Sequence, residues 1–146
     1  MMKLKKMSKE LVKSFDSYIS NYELYARQHG LQGKSLQILL WIYHNPQGVT
    51  QKYLCHKTFS TKQVINATIK NWMQKGYVTM QSRNEDKRQR LIFLTEDGHS
   101  FAKKIIQPLE ECELHAIGSL DEKERELLIT LMEKYTATVI KEMENL

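Results

Sequence analysis

Glu85-Asp86-Lys87-Arg88-Gln89-Arg90-Leu91-Ile92-Phe93-Leu94-Thr95 is a charged run that passes without a break into an apolar one. Upstream stands Tyr77-Val78-Thr79-Met80, another short run rich in β-forming residues. Two such runs flanking a polar stretch predict a hairpin, with the cationic side chains at its tip. Residues 60–74 form a helix-sized segment just before it, and Thr95 is a residue type suited to cap a helix just after it. The local order is therefore helix, strand, charged tip, strand, helix.

Working outward, apolar residues at spacings of three and four predict a helix over 8–29 (Leu11, Phe15, Tyr18, Ile19, Tyr22, Ala26), ended by Gly30. Residues 34–44 are apolar almost all round, which predicts a buried second helix before the turn Asn45-Pro46-Gln47-Gly48. Thr50 can cap a third helix over 51–57, with Tyr53 and Leu54 facing inward. Ser60 and Gln63 have capping-box spacing for the fourth helix, 61–74, which offers Val64, Ile65, Ala67, Ile69 and Trp72 to the core and stops at Gly76. Two short helices joined by a tight turn, the second with a polar face, read as a helix-turn-helix. A fifth helix over 96–115 contains Pro108, which predicts a bend or break near 106–108. Ser119 and Glu122 make a second capping box for a last helix over 121–144. Leu127, Leu131, Tyr135 and Val139, beside Leu128 and Met132, give that helix a wide apolar stripe that needs a partner. The fold class expected is mainly α with a small β-hairpin wing: a winged helix-turn-helix plus a helical dimerisation region.

Charge is unevenly spread over the 146 residues. The net charge is +5, but residues 50–95 carry nine Lys/Arg and two Asp/Glu, whereas residues 96–146 carry six and twelve. A concentrated positive patch raises affinity for a polyanion and speeds encounter. An acidic C-terminal third would be repelled, so it is expected to face away. Cys55 and Cys112 are too few for a disulfide framework or a four-cysteine zinc site, and reduced, buried thiols are the default. No window reaches membrane-spanning length, so a soluble cytoplasmic protein with no membrane partner is expected. There is no Gly-rich phosphate loop, no HExxH and no nucleophile motif, so enzyme chemistry is not expected. Glu111 and His115 have i, i+4 spacing, with Glu23 or His44 as possible neighbours. Two ligands at helical spacing are too little for a zinc site, and no metal or cofactor is expected.

Three segments together resemble the MarR family of bacterial winged-helix transcription regulators. They are Trp72-Met73-Gln74-Lys75-Gly76-Tyr77-Val78, Asp86-Lys87-Arg88 and Leu94-Thr95-Glu96-Asp97-Gly98. The family pattern runs Leu-x-x-Lys-Gly-hydrophobic-Val, Asp-x-Arg, Leu-Thr-x-x-Gly at nearly these spacings. This chain departs from it at Trp72, where Leu is usual, and at Met80, where Arg is frequent. The resemblance implies a dimerisation helix in 1–30, a DNA-binding lobe in 31–98 and C-terminal dimerisation helices in 99–146. It also implies a homodimeric regulator, a repressor rather than an activator, on a pseudo-palindromic site in double-stranded DNA.

The resemblance further implies that Arg88 at the wing tip enters the minor groove, where a guanidinium suits the concentrated negative potential. Asp86 would steady an arginine or the wing backbone, and Lys87 and Arg90 would reach phosphates. On the recognition helix, Ser60 and Thr61 lie where free N–H groups favour a phosphate. Lys62, Gln63, Asn66 and Lys70 share a polar face of types suited to reading base edges. Family members commonly bind a small effector between the dimer helices and the DNA-binding lobe. Here Tyr18, Tyr22, Tyr25, Trp41 and Tyr43 are the candidate lining. Relatives that sense peroxide use a cysteine in the first helix, and this chain has none there. Two other readings stay open: a metal- or redox-responsive regulator, and a winged-helix protein–protein adaptor that does not read DNA.

Overall fold

The computed structural model describes residues 1–83 and 86–146, with only the backbone at Arg83, Asp86, Lys87 and Arg88. Along these residues run α1 (Met2–Gln28), α2 (Gly33–Tyr43), α3 (Gln51–Thr58), α4 (Lys62–Gln74), β1 (Val78–Arg83), β2 (Asp86–Leu94), α5 (Glu96–Gly118) and α6 (Glu122–Glu144). The chain is mainly helical with one antiparallel hairpin, as its patterning predicts.

Helices α1 and α4 end in the same way. Gly30 and Gly76 stand just past them at φ 73° and 77°, a conformation that glycine takes without steric cost. Leu31 N–H then returns to Ala26 O (2.9 Å) and Gly30 N–H to Arg27 O (3.0 Å). Tyr77 N–H returns to Trp72 O (2.8 Å) and Gly76 N–H to Met73 O (3.1 Å). These bonds satisfy carbonyls that a helix C-terminus leaves free and turn the chain sharply.

Met1–Ile106 and Gln107–Leu146 form two compact units. In the first, Leu36, Leu39, Ile42, Leu54, Ile65 and Ile92 make a dry centre, each at most 2% exposed. Glu23 on α1 accepts the Gly33 N–H that opens α2 (3.1 Å), and the Tyr25 hydroxyl donates to Ile105 O (2.5 Å). Val49 and Ile92 exchange both backbone hydrogen bonds (3.1 and 2.7 Å), which fastens β2 to the segment between α2 and α3. The second unit holds the end of α5 and all of α6. Its capping box is complete: Asp121 Oδ1 accepts Glu124 N–H (2.9 Å), and Glu124 Oε1 accepts Asp121 N–H (3.0 Å).

Several expectations are corrected. Helix α1 starts at Met2 rather than near Ser8, because Met2-Lys3-Leu4-Lys5-Lys6-Met7 contains only good helix formers and no breaker. The cap of α4 is Thr61, which accepts Val64 N–H (3.2 Å), and not Ser60, whose hydroxyl is bonded to Thr58. The cap of α6 is Asp121, not Ser119, which instead donates to Ala116 O (2.6 Å) at the end of α5. Pro108 does not break α5: it lies on an exposed face, where water can take over the carbonyl bond it cannot make. Val64 and Ala67 are exposed, so the inner face of α4 is narrowed to Ile65, Ile69 and Trp72. Cys112 is exposed rather than buried, because no residue of α5 beyond Ile106 is buried; Cys55 is half-buried, and both are free thiols.

The motif Leu94-Thr95-Glu96-Asp97-Gly98 has a physical explanation. The Thr95 hydroxyl accepts Gly98 N–H (2.9 Å) as the cap of α5 and donates to Gly76 O (2.6 Å). A Cβ on Gly98 would lie 1.9 Å from Tyr77 O, so backbone meets backbone there and a side chain does not fit. Gly98→Ala is therefore expected to cost about 1–3 kcal/mol of stability, as overpacking does. Urea denaturation checks this, and an unchanged midpoint would refute the close approach.

Candidate nucleic-acid interface

The turn between α3 and α4 is held from below. Thr58 is 1% exposed, and its hydroxyl bonds to Leu54 O and Ser60 Oγ, each at 2.7 Å. Lys34 Nζ on α2 donates to Thr58 O, and Ser60 N–H returns to Cys55 O (3.1 Å). Phe59, between them, takes a left-handed conformation (φ 51°, ψ 42°). A clamped turn of this kind fixes the direction in which α4 leaves α3.

The sequence-predicted residues of α4 come out on its free side. Thr61, Lys62, Gln63, Asn66 and Lys70 are all exposed, while Ile65, Ile69 and Trp72 are buried on the opposite side. The first N–H groups of α4 lack partners within the helix, so its exposed start favours an anion. Ser60 is half-buried, and its hydroxyl is committed to the turn.

One neighbour went unnoticed in the sequence. Gln51 Nε2 on α3 donates to Asn66 Oδ1 on α4. This bond engages the Asn66 acceptor. The signal available was Gln51 at the first position of α3, which a helix-turn-helix brings against the second helix. Ala67 is a further exposed residue of the outer face, set beside the polar side chains the periodicity singled out.

The hairpin is longer than its apolar runs. β1 pairs with β2 from Val78↔Leu94 to Ser82↔Arg90, and the register then shifts to Arg83↔Asp86. Residues 86–90 are thus strand backbone and not a tip, since antiparallel pairing continues through charged residues on an edge. The shift leaves residues 87–89 as an irregularity in β2, where a strand bends and twists more strongly. Arg90 is exposed on the hairpin. Glu85, and the side chains of Asp86, Lys87 and Arg88, lie outside the described residues, so the expectations placed on them have no structural counterpart here.

The five aromatic residues considered for an effector fall into different contacts. Tyr18 stacks on Tyr22 (6.5 Å between centroids), and Tyr25 lies against His29 (4.6 Å). Trp41 meets Tyr53 edge-on (5.9 Å) with Lys57 Nζ 5.2 Å from its ring, and Tyr43 lies 5.1 Å from His99. A cleft of about 270 Å³ opens elsewhere, where Gly30, Leu31, Gln32 and Ser35 face Ala67, Thr68, Asn71, Trp72 and Lys75. Among the described residues, no group of three or more His, Cys, Asp or Glu is placed to hold a metal ion, and no helix is long and apolar enough to cross a membrane.

Comparison with known proteins agrees with this architecture. Residues 29–89 match the model of the MarR family. The HTH-type transcriptional regulator SarZ of Staphylococcus aureus is 27% identical over 119 residues, which are 82% of this chain and 72% of SarZ. A MarR family regulator from Neisseria meningitidis, NMB1585, superposes with a TM-score of 0.76 at 19% identity, covering 94% of this chain and 96% of that one. MepR of S. aureus, solved in a DNA-binding conformation, gives 0.76 at 18% identity, covering 91% and 98%. MepR has also been solved in complex with DNA, at a TM-score of 0.71. The matched family is one of transcription regulators rather than enzymes. Residues 29–89 match the MarR family model, and the chain has the winged-helix fold of the MarR regulators on which it superposes.

Proposed function

We propose that this protein is a homodimeric, sequence-dependent binder of double-stranded DNA that regulates transcription, acting as a repressor at a pseudo-palindromic operator. The observation that carries the reading is the division of α4. Lys62, Gln63, Asn66 and Lys70 are exposed together on a helix whose other side is sealed by Ile65, Ile69 and Trp72. Such a helix can enter a major groove without uncovering the core. The likeness to MepR and SarZ supports the same reading.

In this account α4 lies in the major groove with Gln63 and Asn66 at base edges and Lys62 and Lys70 at bases or phosphates. Thr61 and the first N–H groups of α4 take a phosphate, and Ser60 keeps the turn closed behind them. The hairpin lies along the neighbouring minor groove, with Arg88 inserted, Lys87 and Arg90 on phosphates, and Asp86 steadying the wing. A repressor then acts by occupying its operator, which places the protein in the bacterial cytoplasm.

Dimerisation is proposed through the first helix and the last two. Met7, Val12 and Ile19 on α1 are exposed, as are Leu127, Leu131 and Ile140 on α6. Helix α6 has no buried residue at all, although its stripe is apolar. Exposed apolar surface on this scale marks an interaction face, and a two-fold partner meets the symmetry of a palindrome. Small-molecule control is part of the same proposal. Tyr18, Tyr22, Tyr25, Trp41 and Tyr43 remain its candidate lining, and the cleft against α4 is a second place where binding would act on the recognition helix.

Arg88→Ala is expected to weaken binding to every duplex and to lower the salt slope by about 1, whereas Gln63→Ala is expected to alter preference at one base pair by about 1–3 kcal/mol. Fluorescence anisotropy titrations over a range of salt concentrations separate the two, and an Arg88→Ala protein of undiminished affinity would refute the wing assignment. Light scattering at micromolar concentration is expected to give a mass near twice 17.2 kDa. The double variant Leu128→Asp, Leu131→Asp is expected to give the monomer and to lose affinity for DNA. A monomeric wild-type chain would remove the dimer from the account.

A further inference from the structure

Phe59 combines two features that are unfavourable for a large apolar residue. Its backbone is left-handed (φ 51°, ψ 42°), a conformation that is uncommon for any residue with a Cβ and an outlier for a bulky one. The residue is also 92% exposed, so it returns almost no burial in the folded chain. No other described residue except glycine has a positive φ. The turn that carries Phe59 is nonetheless anchored on both sides, by Thr58 and Lys34 below and by the Ser60 N–H to Cys55 O bond above. The strain is therefore held in place by the surrounding structure, which is the pattern found where backbone strain serves a function.

The position gives the direction. Phe59 lies two residues before Thr61, the cap of α4, and the start of the second helix in a helix-turn-helix is the end that approaches base edges. Lys57 and Lys62, both exposed, flank it with positive charge. An apolar ring has one distinctive target in a major groove, the C5 methyl group of thymine. We propose that Phe59 is a specificity-determining residue that packs its ring on a thymine methyl of the operator. This inference rests on the DNA-binding reading above. It adds an apolar contact to a face whose sequence-predicted members are all polar.

The test uses the full chain and a duplex selected by the wild-type protein from a random pool, prepared with thymine or with uracil at each position in turn. Uracil removes only the methyl group. Wild-type protein is expected to lose about fourfold in affinity at the contacted position, the worth of one buried methyl. Phe59→Gly and Phe59→Ala are expected to lose a similar factor on the thymine duplex and to bind thymine and uracil alike. The glycine variant is also expected to melt no lower than wild type, since it relieves the left-handed backbone. Unchanged duplex affinity in both variants would overturn the proposal. So would a lower melting temperature for Phe59→Gly, which would make the ring a folding contact. A wild-type chain that selects no duplex overturns the DNA reading itself, whereas wild-type selection with no uracil effect overturns this inference alone.

Discussion

Tyr77 is the residue on which the arrangement of α4, the hairpin and α5 depends. Its N–H ends α4 by returning to Trp72 O (2.8 Å), and its carbonyl accepts Thr95 N–H (2.9 Å). The same carbonyl lies so close to Gly98 that no side chain can stand there, and its ring stacks on Phe101 at 4.4 Å with the planes 7° apart. One residue thereby joins the end of α4, the base of the hairpin and the first turn of α5. Thr95 closes the joint from the other side through Gly76 O and Gly98 N–H. Because both backbone and ring are engaged, the hairpin leaves α4 in one direction rather than several.

The second constraint is the division of α4 into a narrow buried side and a wide free one. Burying a side chain such as Ile65, Ile69 or Trp72 contributes roughly 1.5–3 kcal/mol, enough to seat the helix with three residues. The rest of its surface is then released from any duty to the core. At the N-terminal end, Thr58, Ser60 and Lys34 fix the turn, so that Thr61, Lys62 and Gln63 start the helix from a rigid base. Val49 and Ile92 fasten the hairpin to the α2–α3 segment from behind. The residues that seat α4 and those exposed on its other side are thus separate sets.

Much of this was legible in the sequence. Periodicity located every helix, glycines marked the ends of α1 and α4, and the Leu-Thr-x-x-Gly segment marked the start of α5. What failed was local competition between similar caps. Thr61 won over Ser60, and Asp121 over Ser119, because the displaced hydroxyls had closer partners in the preceding turn. The length of the hairpin was missed because charged residues have low strand propensity, yet pairing to a neighbour overrides propensity on an edge. The exposure of Lys62, Gln63, Asn66 and Lys70 on one side of α4 was legible from spacing alone. The Gln51–Asn66 bond was missed because the two residues are fifteen positions apart, and the left-handed turn at Phe59 because a left-handed aromatic has no periodic signature.

The proposed contact surface consists of α4 and the hairpin and includes no residue of α6. Amide hydrogen exchange of the full chain, with and without a duplex that it selects, tests this most directly. Slower exchange is predicted in the α3–α4 turn, the first two turns of α4 and β1–β2 on adding DNA, with no DNA-dependent protection that starts at α6. Protection confined to α6, or none in α4 at saturating duplex, would contradict it.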